Sequence, residues 1–381
     1  MDSIYFDETH ALFREQLKRF IDEKVVPFGA EWEKDGEVPR SILKEMGALG
    51  FLGIRYPAKY GGAEMDTLGT AVLSEELGRS SFGGFAVTVL VHTDMASPHL
   101  ARFGTPVQLD KYFRGIISGD LISAVAVTEP DAGSDVAGIK TRAVRDGDHY
   151  VLNGSKIFIT NGVLADVYFV AAKTNTEVKG SRGISMFIVD KNTPGFHVSR
   201  KLEKMGWRCS DTAELAFEDC RIPAENLLGE ENRGFYQIME NFQNERITLG
   251  AQAVGEAAKA LELTLEYVTQ RHAFGEKLFE KQTIRQRLSM LAAKVEAARQ
   301  LVYHTAWADG QGTECVKEVS MVKALCGELV NEVVYTCQQF HGGFGYIQES
   351  AIERMVRDAR VQSVGGGATE VMLEEVAKRL I

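Results

Sequence analysis

The distribution of proline constrains the fold of this chain more than any other feature of its sequence. The last of the eight prolines is Pro223, so the final 158 of the 381 residues contain none. Proline breaks helix interiors and is typical of turns and edge strands. A proline-free stretch of this length predicts long helices joined by short loops, and a change of structure near residue 223.

Hydrophobic periodicity supports this prediction. After Pro223, apolar residues recur every three or four positions, which is the spacing of one helix face. Three such stripes are Leu261, Leu265 and Val268; Ile284, Leu288, Leu291, Val295 and Val302; and Val319, Val322, Cys326, Leu329 and Val333. Together with a last helix from about residue 368 to 380, they predict an antiparallel four-helix bundle.

The first two thirds of the chain divide into a helical and a β segment. Up to about residue 120, Asp7 is placed to cap an amphipathic helix and Pro39 to start another. From there to about residue 228, short apolar runs alternate with turn signals such as Asp146-Gly147 and Asn161-Gly162. We therefore predict a multidomain α+β protein with an N-terminal all-α domain (1–120), a middle β-barrel-like domain (121–228) and the C-terminal bundle (229–381).

Charge and composition exclude several classes of protein. The chain has 43 basic and 53 acidic residues, a net charge of −10, so no basic surface for nucleic acid is expected. No apolar run approaches the roughly 18 residues of a membrane span, and we expect no integral membrane segment. The N-terminus lacks the apolar region of a signal peptide. A cytoplasmic location fits, or an organelle matrix if this is a processed chain.

The cysteines and histidines do not predict a metal site. The five cysteines form no CxxC pair, and no HExxH motif is present. Cys315, Cys326 and Cys337 are spaced by eleven residues, about three helical turns, so we expect them on one buried helix face.

Six motifs carry the chemistry of this sequence. The first, AVTEPDAGSD (126–135), reads as a strand running into a tight turn whose hydroxyls and amides are suited to an anion or a polar ring edge. Taken alone, a plain turn is the better explanation of this motif. The other five are NGSKIFITNG (153–162), MGWRCSDT (205–212), QRHAFG (270–275), QFHGGFGY (339–346) and RDAR (357–360). Neither GxGxxG nor the P-loop motif occurs.

In this order, the six motifs resemble those of the acyl-CoA dehydrogenase family, from about residue 5 to the C-terminus. The resemblance implies an α–β–α architecture with FAD bound between the β domain and the bundle. It implies an acyl-CoA substrate, from which a proton leaves Cα and a hydride leaves Cβ. It also implies electron-transferring flavoprotein as the oxidant and a homotetramer, a dimer of dimers.

Carried over position by position, the resemblance assigns residues to the cofactor. Within one subunit these are Val127 and Thr128 at the flavin pyrimidine ring, Ser134 at the pyrophosphate and substrate, Phe158 against the flavin, and Thr160 near its N5 atom. From a neighbouring subunit, Arg271, Phe274, Gln282, Gln339 and Gly343 would reach the pyrophosphate and adenine. Ala368 replaces a threonine common in the family, and Thr369 is expected to compensate.

The catalytic base follows from a departure from the commonest family pattern. Gly366 stands where many members carry the catalytic glutamate, and it cannot act as a base. Members resembling the long-chain and isovaleryl enzymes carry the carboxylate where this chain has Glu245. From helix pattern alone, Glu245 fits a first-turn glutamate at a helix N-terminus. Because the acid is absent at position 366 and present at position 245, we assign the base to Glu245. The Gly366 N–H is expected to donate to the thioester carbonyl, and Arg246 is expected on the substrate side.

Three alternatives stay open at this stage. The same fold supports a dehydrogenase for carrier-protein thioesters and a flavin monooxygenase or oxidase, although Glu245 argues against the oxygen-using enzymes. A non-enzymatic relative that binds nucleic acid is disfavoured by the net charge. The acyl chain cannot be read from the sequence, and the base position suggests long or branched chains by resemblance only.

Overall fold

The computed structural model describes residues 4–178 and 180–381. Seven helices form the N-terminal part: α1 (Glu8–Phe20), α2 (Gly29–Asp35), α3 (Arg40–Ala48), α4 (Thr67–Arg79), α5 (Gly83–Leu90), α6 (Ser97–Phe103) and α7 (Pro106–Ser118). Asp7 caps α1 as expected, since its side chain accepts from the His10 N–H. A π-helical turn, Val91–Ala96, joins α5 to α6 and is wholly buried.

The middle part is one sheet of eight strands. They are β1 (Ser123–Ala126), β2 (Arg142–Asp146), β3 (His149–Thr160), β4 (Val167–Lys173), β5 (Ile184–Asp190), β6 (Phe196–Lys201), β7 (Thr212–Pro223) and β8 (Leu227–Leu228). Their order is β6-β7-β3-β2-β4-β5-β8, with β1 parallel to β4. Within the described residues, the end strands β6 and β8 do not pair, so the expected barrel is an open sheet. Since β8 has two residues, it offers little edge for closure.

The C-terminal part contains the predicted long helices. They are α8 (Gly234–Gln270), α9 (Gln282–Gly310) and α10 (Val316–His341), and the short strands β9 (His272–Ala273) and β10 (Glu276–Lys277) form a hairpin between α8 and α9. Two nine-residue helices follow, α11 (Ala351–Ala359), which the periodicity did not predict, and α12 (Thr369–Ala377). The bundle core also includes Leu68 and Ala71 from α4, so a helix of the N-terminal part completes it.

Burial in this part follows the predicted stripes with one exception. Leu265 is 39% exposed, although Leu261 and Val268 of the same stripe are buried. All five cysteines are buried and free of disulfides, and Cys315 lies directly before α10. In the described part of the chain, no helix combines the length and the hydropathy needed to cross a bilayer. The domain limits at 120/121 and 228/229 stay predictions.

Two of the six motifs meet where the three parts of the chain join. Asp358, in the motif RDAR on α11, accepts the backbone N–H groups of Gly83 (3.1 Å) and Trp207 (2.6 Å). A Cβ on Gly206 would lie 2.4 Å from the Arg357 carbonyl oxygen, so only glycine allows this approach. These motifs therefore fix the relative positions of α5, the sheet and α11.

Candidate active site

Glu245 lies deep within α8, eleven residues after the helix begins at Gly234. The first-turn interpretation of this glutamate is therefore wrong. Asn241 and Asn244, on the same stretch of α8, donate to the carbonyl oxygens of Met95 (2.9 Å) and Asp94 (2.8 Å) in the π-helical turn. These buried amide bonds fix the part of α8 that carries Glu245.

The structure brings Glu245 and Gly366 together. A Cβ on Gly366 would lie 3.3 Å from the Glu245 Oε1 atom and 2.2 Å from the Leu249 Cδ1 atom. Gly366 also has φ +64°, in the left-handed region that favours glycine. Gly366, which stands at the acid position of many members of the resembled family, thus adjoins the Glu245 carboxylate, and Leu249 occupies the space that a side chain would need there.

Burial and two cations set the protonation of Glu245. Burial raises its pKa to about 7, while the charges of Arg246 and Lys323 oppose that rise. Burial also lowers the pKa of Arg246, whose Nε atom is buried without a hydrogen-bond partner and whose guanidinium lies 5.9 Å from the centre of the Phe242 ring. A carboxyl with a pKa near neutrality is suited to accept and return a proton.

The residues assigned to the flavin ring lie where β1 and β3 meet. The Ile157 N–H donates to the Thr128 carbonyl oxygen (3.0 Å), which holds the end of β1 beside β3. Phe158 has φ +60° and sits at a register shift of the β3–β7 pair, between Lys156 and Ile159. This irregularity turns its ring outwards, leaving it 66% exposed, as a platform for a planar ring. Thr160 ends β3, half-buried.

A buried ion pair that was not predicted from the sequence anchors the turn after β1. Lys156 Nζ donates to Glu129 Oε1 (2.8 Å) and to the Val127 carbonyl oxygen (2.9 Å). The Glu129 carboxylate also accepts the backbone N–H groups of Lys140 and Thr141. With the first half of the turn fixed, residues 133–135 remain exposed, and a Cβ on Gly133 would meet no atom within 4 Å. An exposed ring beside an open, polar turn fits a flavin and its pyrophosphate.

The residues assigned to a neighbour's cofactor lie at the other end of α8. Arg271 is 26 residues beyond Glu245, about 39 Å along a helix axis. Phe274 is 96% exposed in the β9–β10 hairpin and has φ +57°. The Tyr267 ring stacks on His341 at 4.4 Å, so the end of α10, with Gln339 and the following Gly343, packs on the last turn of α8, which leads into this hairpin. The structure groups these residues with each other and apart from the Glu245 of their own chain.

Gln282 and Thr369, which were also assigned to the cofactor, each begin a helix. Gln282 is exposed at the start of α9. Thr369 starts α12, and its hydroxyl donates to Glu328 Oε1 at 2.8 Å. Lys323 is a further polar group beside the Gly366 segment, and it was not predicted as a site residue because nothing in its sequence context distinguishes it.

Profiles of three domains match the chain: "Acyl-CoA dehydrogenase, N-terminal domain" at residues 7–120, "middle domain" at 124–220 and "C-terminal domain" at 232–381. The chain belongs to the acyl-CoA dehydrogenase family. It is 41% identical to the long-chain specific acyl-CoA dehydrogenase of mouse mitochondria over 377 residues, 99% of this chain and 87% of that protein. The crystal structure of an acyl-CoA dehydrogenase from Geobacillus kaustophilus matches with a TM-score of 0.96 and 41% identity, over 99% of both chains.

Membership makes the chain a flavin-dependent oxidoreductase, and FAD is the cofactor of this family. Other members carry names with other partners or carriers. The caffeyl-CoA reductase–Etf complex subunit CarC of Acetobacterium woodii is 37% identical over 99% of this chain and 100% of its own. The prolyl acyl carrier protein oxidase AnaB matches with a TM-score of 0.94 and 30% identity, over 98% of this chain and 99% of its own.

Replacing Gly366 by alanine tests the close approach of the segment to α8. We expect Gly366→Ala to lower the free energy of unfolding by about 1–3 kcal/mol, because a Cβ there meets Leu249 and the backbone is left-handed. Denaturant unfolding measures the change. Gly147→Ala is the matched control, since Gly147 also has a left-handed backbone (φ +63°) and no atom lies within 4 Å of its added Cβ. Equal stability of the two variants would contradict the packing described.

Proposed function

We propose that this chain oxidises an acyl-CoA thioester to the trans-2-enoyl-CoA, with Glu245 as the base. One observation carries the proposal: the Glu245 carboxyl, with a pKa raised to about 7, adjoins the glycine that replaces the other acid position of the family. A carbon-bound proton is removed most effectively by a carboxylate whose pKa lies near the working pH.

Each residue near Glu245 has a distinct part in this reaction. Glu245 accepts the proton from Cα of the thioester. The negative charge that develops on the thioester oxygen requires hydrogen-bond donors in a dry pocket, and the Gly366 N–H supplies one. Arg246 is proposed to face the substrate, and its positive charge opposes the rise in the pKa of the Glu245 carboxyl. FAD, when bound, accepts the hydride from Cβ.

The cofactor contacts proposed within one subunit use the β1–β3 junction. Val127 and Thr128 present backbone groups to the polar edge of the flavin, and Phe158 packs on its ring. Thr160 supplies a hydroxyl near the flavin N5 atom, and Ser134 supplies one at the pyrophosphate. The exposed Phe158 ring and the open turn at residues 133–135 support these assignments.

We propose that Arg271, Phe274, Gln282, Gln339 and Gly343 complete the FAD site of a neighbouring subunit, with Thr369 nearby, in a homotetramer that is a dimer of dimers. The roughly 39 Å between Arg271 and Glu245 along α8 supports contact with another copy. Arginine suits a pyrophosphate because its planar fork bonds two anionic oxygens. Electron-transferring flavoprotein is the proposed oxidant, supported by the relative that is named as a subunit of an Etf complex.

Anaerobic titration of the purified flavoprotein with acyl-CoAs of graded length and branching tests this function. We expect rapid bleaching of the oxidised flavin by saturated acyl-CoAs, with long or branched chains most effective, and formation of the 2-enoyl product. Re-oxidation by electron-transferring flavoprotein should be faster than by oxygen. Bleaching only by an acyl carrier protein thioester, or rapid turnover with oxygen, would instead assign the carrier-protein or oxidase alternative.

Removing the Arg271 guanidinium is expected to weaken FAD binding. Arg271→Ala should raise the dissociation constant of FAD about 10- to 100-fold, since hydrogen bonds to charged groups contribute roughly 1.5–3 kcal/mol. Fluorescence titration of the apoprotein with FAD measures it. Arg221→Ala, which removes an exposed guanidinium paired with Asp146 on the sheet, is the control and should bind FAD normally.

Mixed oligomers test whether Arg271 serves another subunit. Arg271→Ala and Glu245→Gln chains are each expected to be inactive at limiting FAD. Co-expressed, they should recover activity, because an Arg271→Ala chain keeps its Glu245 and receives the guanidinium of a Glu245→Gln neighbour. No recovery in oligomers shown to contain both chains would contradict the shared site.

A further inference from the structure

Lys323 is a buried cation that the reaction described above does not use. It lies seven residues after the start of α10, with 2% of its surface exposed. Its Nζ atom donates to the carbonyl oxygens of Gln362 (2.6 Å) and Gly367 (3.0 Å). Among the described residues no carboxylate lies close enough to form an ion pair with it. A buried ammonium costs several kcal/mol unless its surroundings compensate, so these two carbonyls are the contacts that account for its position.

The two carbonyls bracket Gly366. We call residues 362–367 the glycine segment. Lys323 holds its two ends, and Asn331, two turns further along α10, holds its start by donating to the Ala359 carbonyl oxygen (3.0 Å) and to Ser363 Oγ (3.1 Å). A Cβ on Gly327 would lie 2.6 Å from the Gln362 carbonyl oxygen, so α10 approaches the segment as closely as backbone allows.

The glycine segment lies directly on Glu245, so its anchor is also near the base. The charged groups that act on Glu245 are Arg246, on its own helix, and Lys323, from α10. Glu375, on α12, and Arg379, which follows that helix, act on Arg246. On its other side, Lys323 faces Cys326 and Glu328 of α10. Lys323 is therefore the one of these cations that both contacts the glycine segment and faces the carboxylate.

We propose that Lys323 is a positioning residue of this active site: its ammonium holds the Gln362 and Gly367 carbonyls so that the Gly366 N–H faces the thioester oxygen, and its charge favours the ionised form of Glu245. This inference rests on the proposed function of Glu245 and Gly366. Lys323 contacts neither substrate nor flavin; it acts through the backbone that it fixes and through its electrostatic potential. Removing it should therefore change both the geometry of the donor and the pH at which the base works.

The pH dependence of flavin reduction in Lys323→Met tests the electrostatic part. Methionine keeps the length of the side chain and removes the charge and both hydrogen bonds. We expect the acid limb of the pH profile to move up by about one pH unit, because loss of a nearby opposite charge raises a carboxyl pKa. The rate below that limb should fall about tenfold, and it should recover in part at higher pH. A midpoint equal to that of the unmodified protein would overturn the proposal.

Asn331→Ala is the matched control, because it loosens the same segment from the same helix without removing a charge. It should lower the rate at every pH and leave the midpoint in place. Lys323→Arg, which keeps the charge, should leave the midpoint near its original value even if the rate falls. Equal midpoint shifts in Asn331→Ala and Lys323→Met would mean that movement of the segment is the whole effect, and would also overturn the proposal.

Amide hydrogen exchange of the substrate-free holoenzyme tests the geometric part without turnover. Residues 362–367 should exchange faster in Lys323→Met, by about tenfold or more if two anchoring bonds of roughly 1 kcal/mol each are lost. If Lys323→Met does not fold, Lys323→Gln replaces it in both measurements. Unchanged exchange would overturn the anchoring role. Failure of the proposed function is a separate result, in which the unmodified protein itself does not bleach with any acyl-CoA.

Discussion

Glu245→Gln is expected to bind FAD and acyl-CoA normally and to reduce its flavin at least about 10³-fold more slowly than the unmodified protein. The amide keeps the size of the side chain and cannot accept the Cα proton, and loss of a positioned general base typically costs 10²–10⁴-fold. Anaerobic stopped-flow bleaching of the flavin with a saturating acyl-CoA measures the rate. A reduction rate near that of the unmodified protein would remove Glu245 from the role.

Glu256→Gln is the matched control for this variant. Glu256 is a buried glutamate on the same helix, and burial raises its pKa to about 8. Glu256 lies three turns beyond the base, and its Oε1 accepts from Gln252 Nε2 at 2.8 Å and from Gln362 Nε2 at 3.4 Å. An amide keeps an oxygen that can accept both bonds. Since Glu256 does not adjoin Gly366, its amide variant should reduce flavin at a nearly normal rate. Equal losses in both variants would point to a structural effect of amides in α8.

The stability of Glu245→Gln shows whether a slow variant has lost its base or its fold. The pKa of Glu245 is about 7 in the folded chain against an ordinary value of 4.5, so the folded state holds the proton more tightly. Its contribution to the free energy of unfolding therefore falls as pH rises from about 4.5 to 7. Glu245→Gln should be at least as stable as the unmodified protein at about pH 8, as measured by its thermal midpoint.

The second large effect expected is the pH dependence of the unmodified protein. Flavin reduction should rise with pH, reach half its maximum near pH 7, and be about 100-fold slower at about pH 5 than on the plateau, because only the ionised fraction of Glu245 accepts a proton. Stopped-flow bleaching across that range measures the profile. A rate that is flat between about pH 5 and 8 would contradict the raised pKa.

The pH profile of Glu245→Asp complements that of the unmodified protein. It keeps a carboxyl group in the same surroundings and moves it back by one methylene, so the acid limb should persist at a lower plateau. In Glu245→Gln the limb should be absent, since no group at position 245 titrates. A limb that persists in Glu245→Gln would belong to another group in the site.

The sequence was informative where structure is set by local pattern. The stretch after Pro223 folds into α8, α9 and α10 because apolar residues with helical spacing face one core. α11 was not predicted, although Ile352, Met355 and Ala359 recur at helical spacing and are buried. Leu265 was expected inside and is 39% exposed, although Leu261 and Val268 on either side of it in the stripe are buried. Closure of the sheet depends on pairing between strands far apart in the chain, which local pattern does not encode.

For the site as well, the sequence predicted some features and only the folded chain shows others. The resemblance predicted that Glu245 and Gly366 belong together, and the structure places them side by side although 121 residues separate them. It did not predict the Lys156–Glu129 pair or Lys323, because lysine is typical of protein surfaces and only the folded chain shows these two to be buried. Both act on backbone, and a sequence does not show which carbonyls a side chain will reach.

Hydrogen exchange at Cα of a bound thioester tests the central assignment most directly. An acyl-CoA with sulfur in place of C3 can lose its Cα proton but cannot pass a hydride to the flavin, so proton removal is observed alone. In deuterated buffer, mass spectrometry should show rapid uptake of deuterium at Cα with the unmodified protein. With Glu245→Gln, uptake should fall at least about 10³-fold. Uptake at the same rate in both proteins would contradict Glu245 as the base.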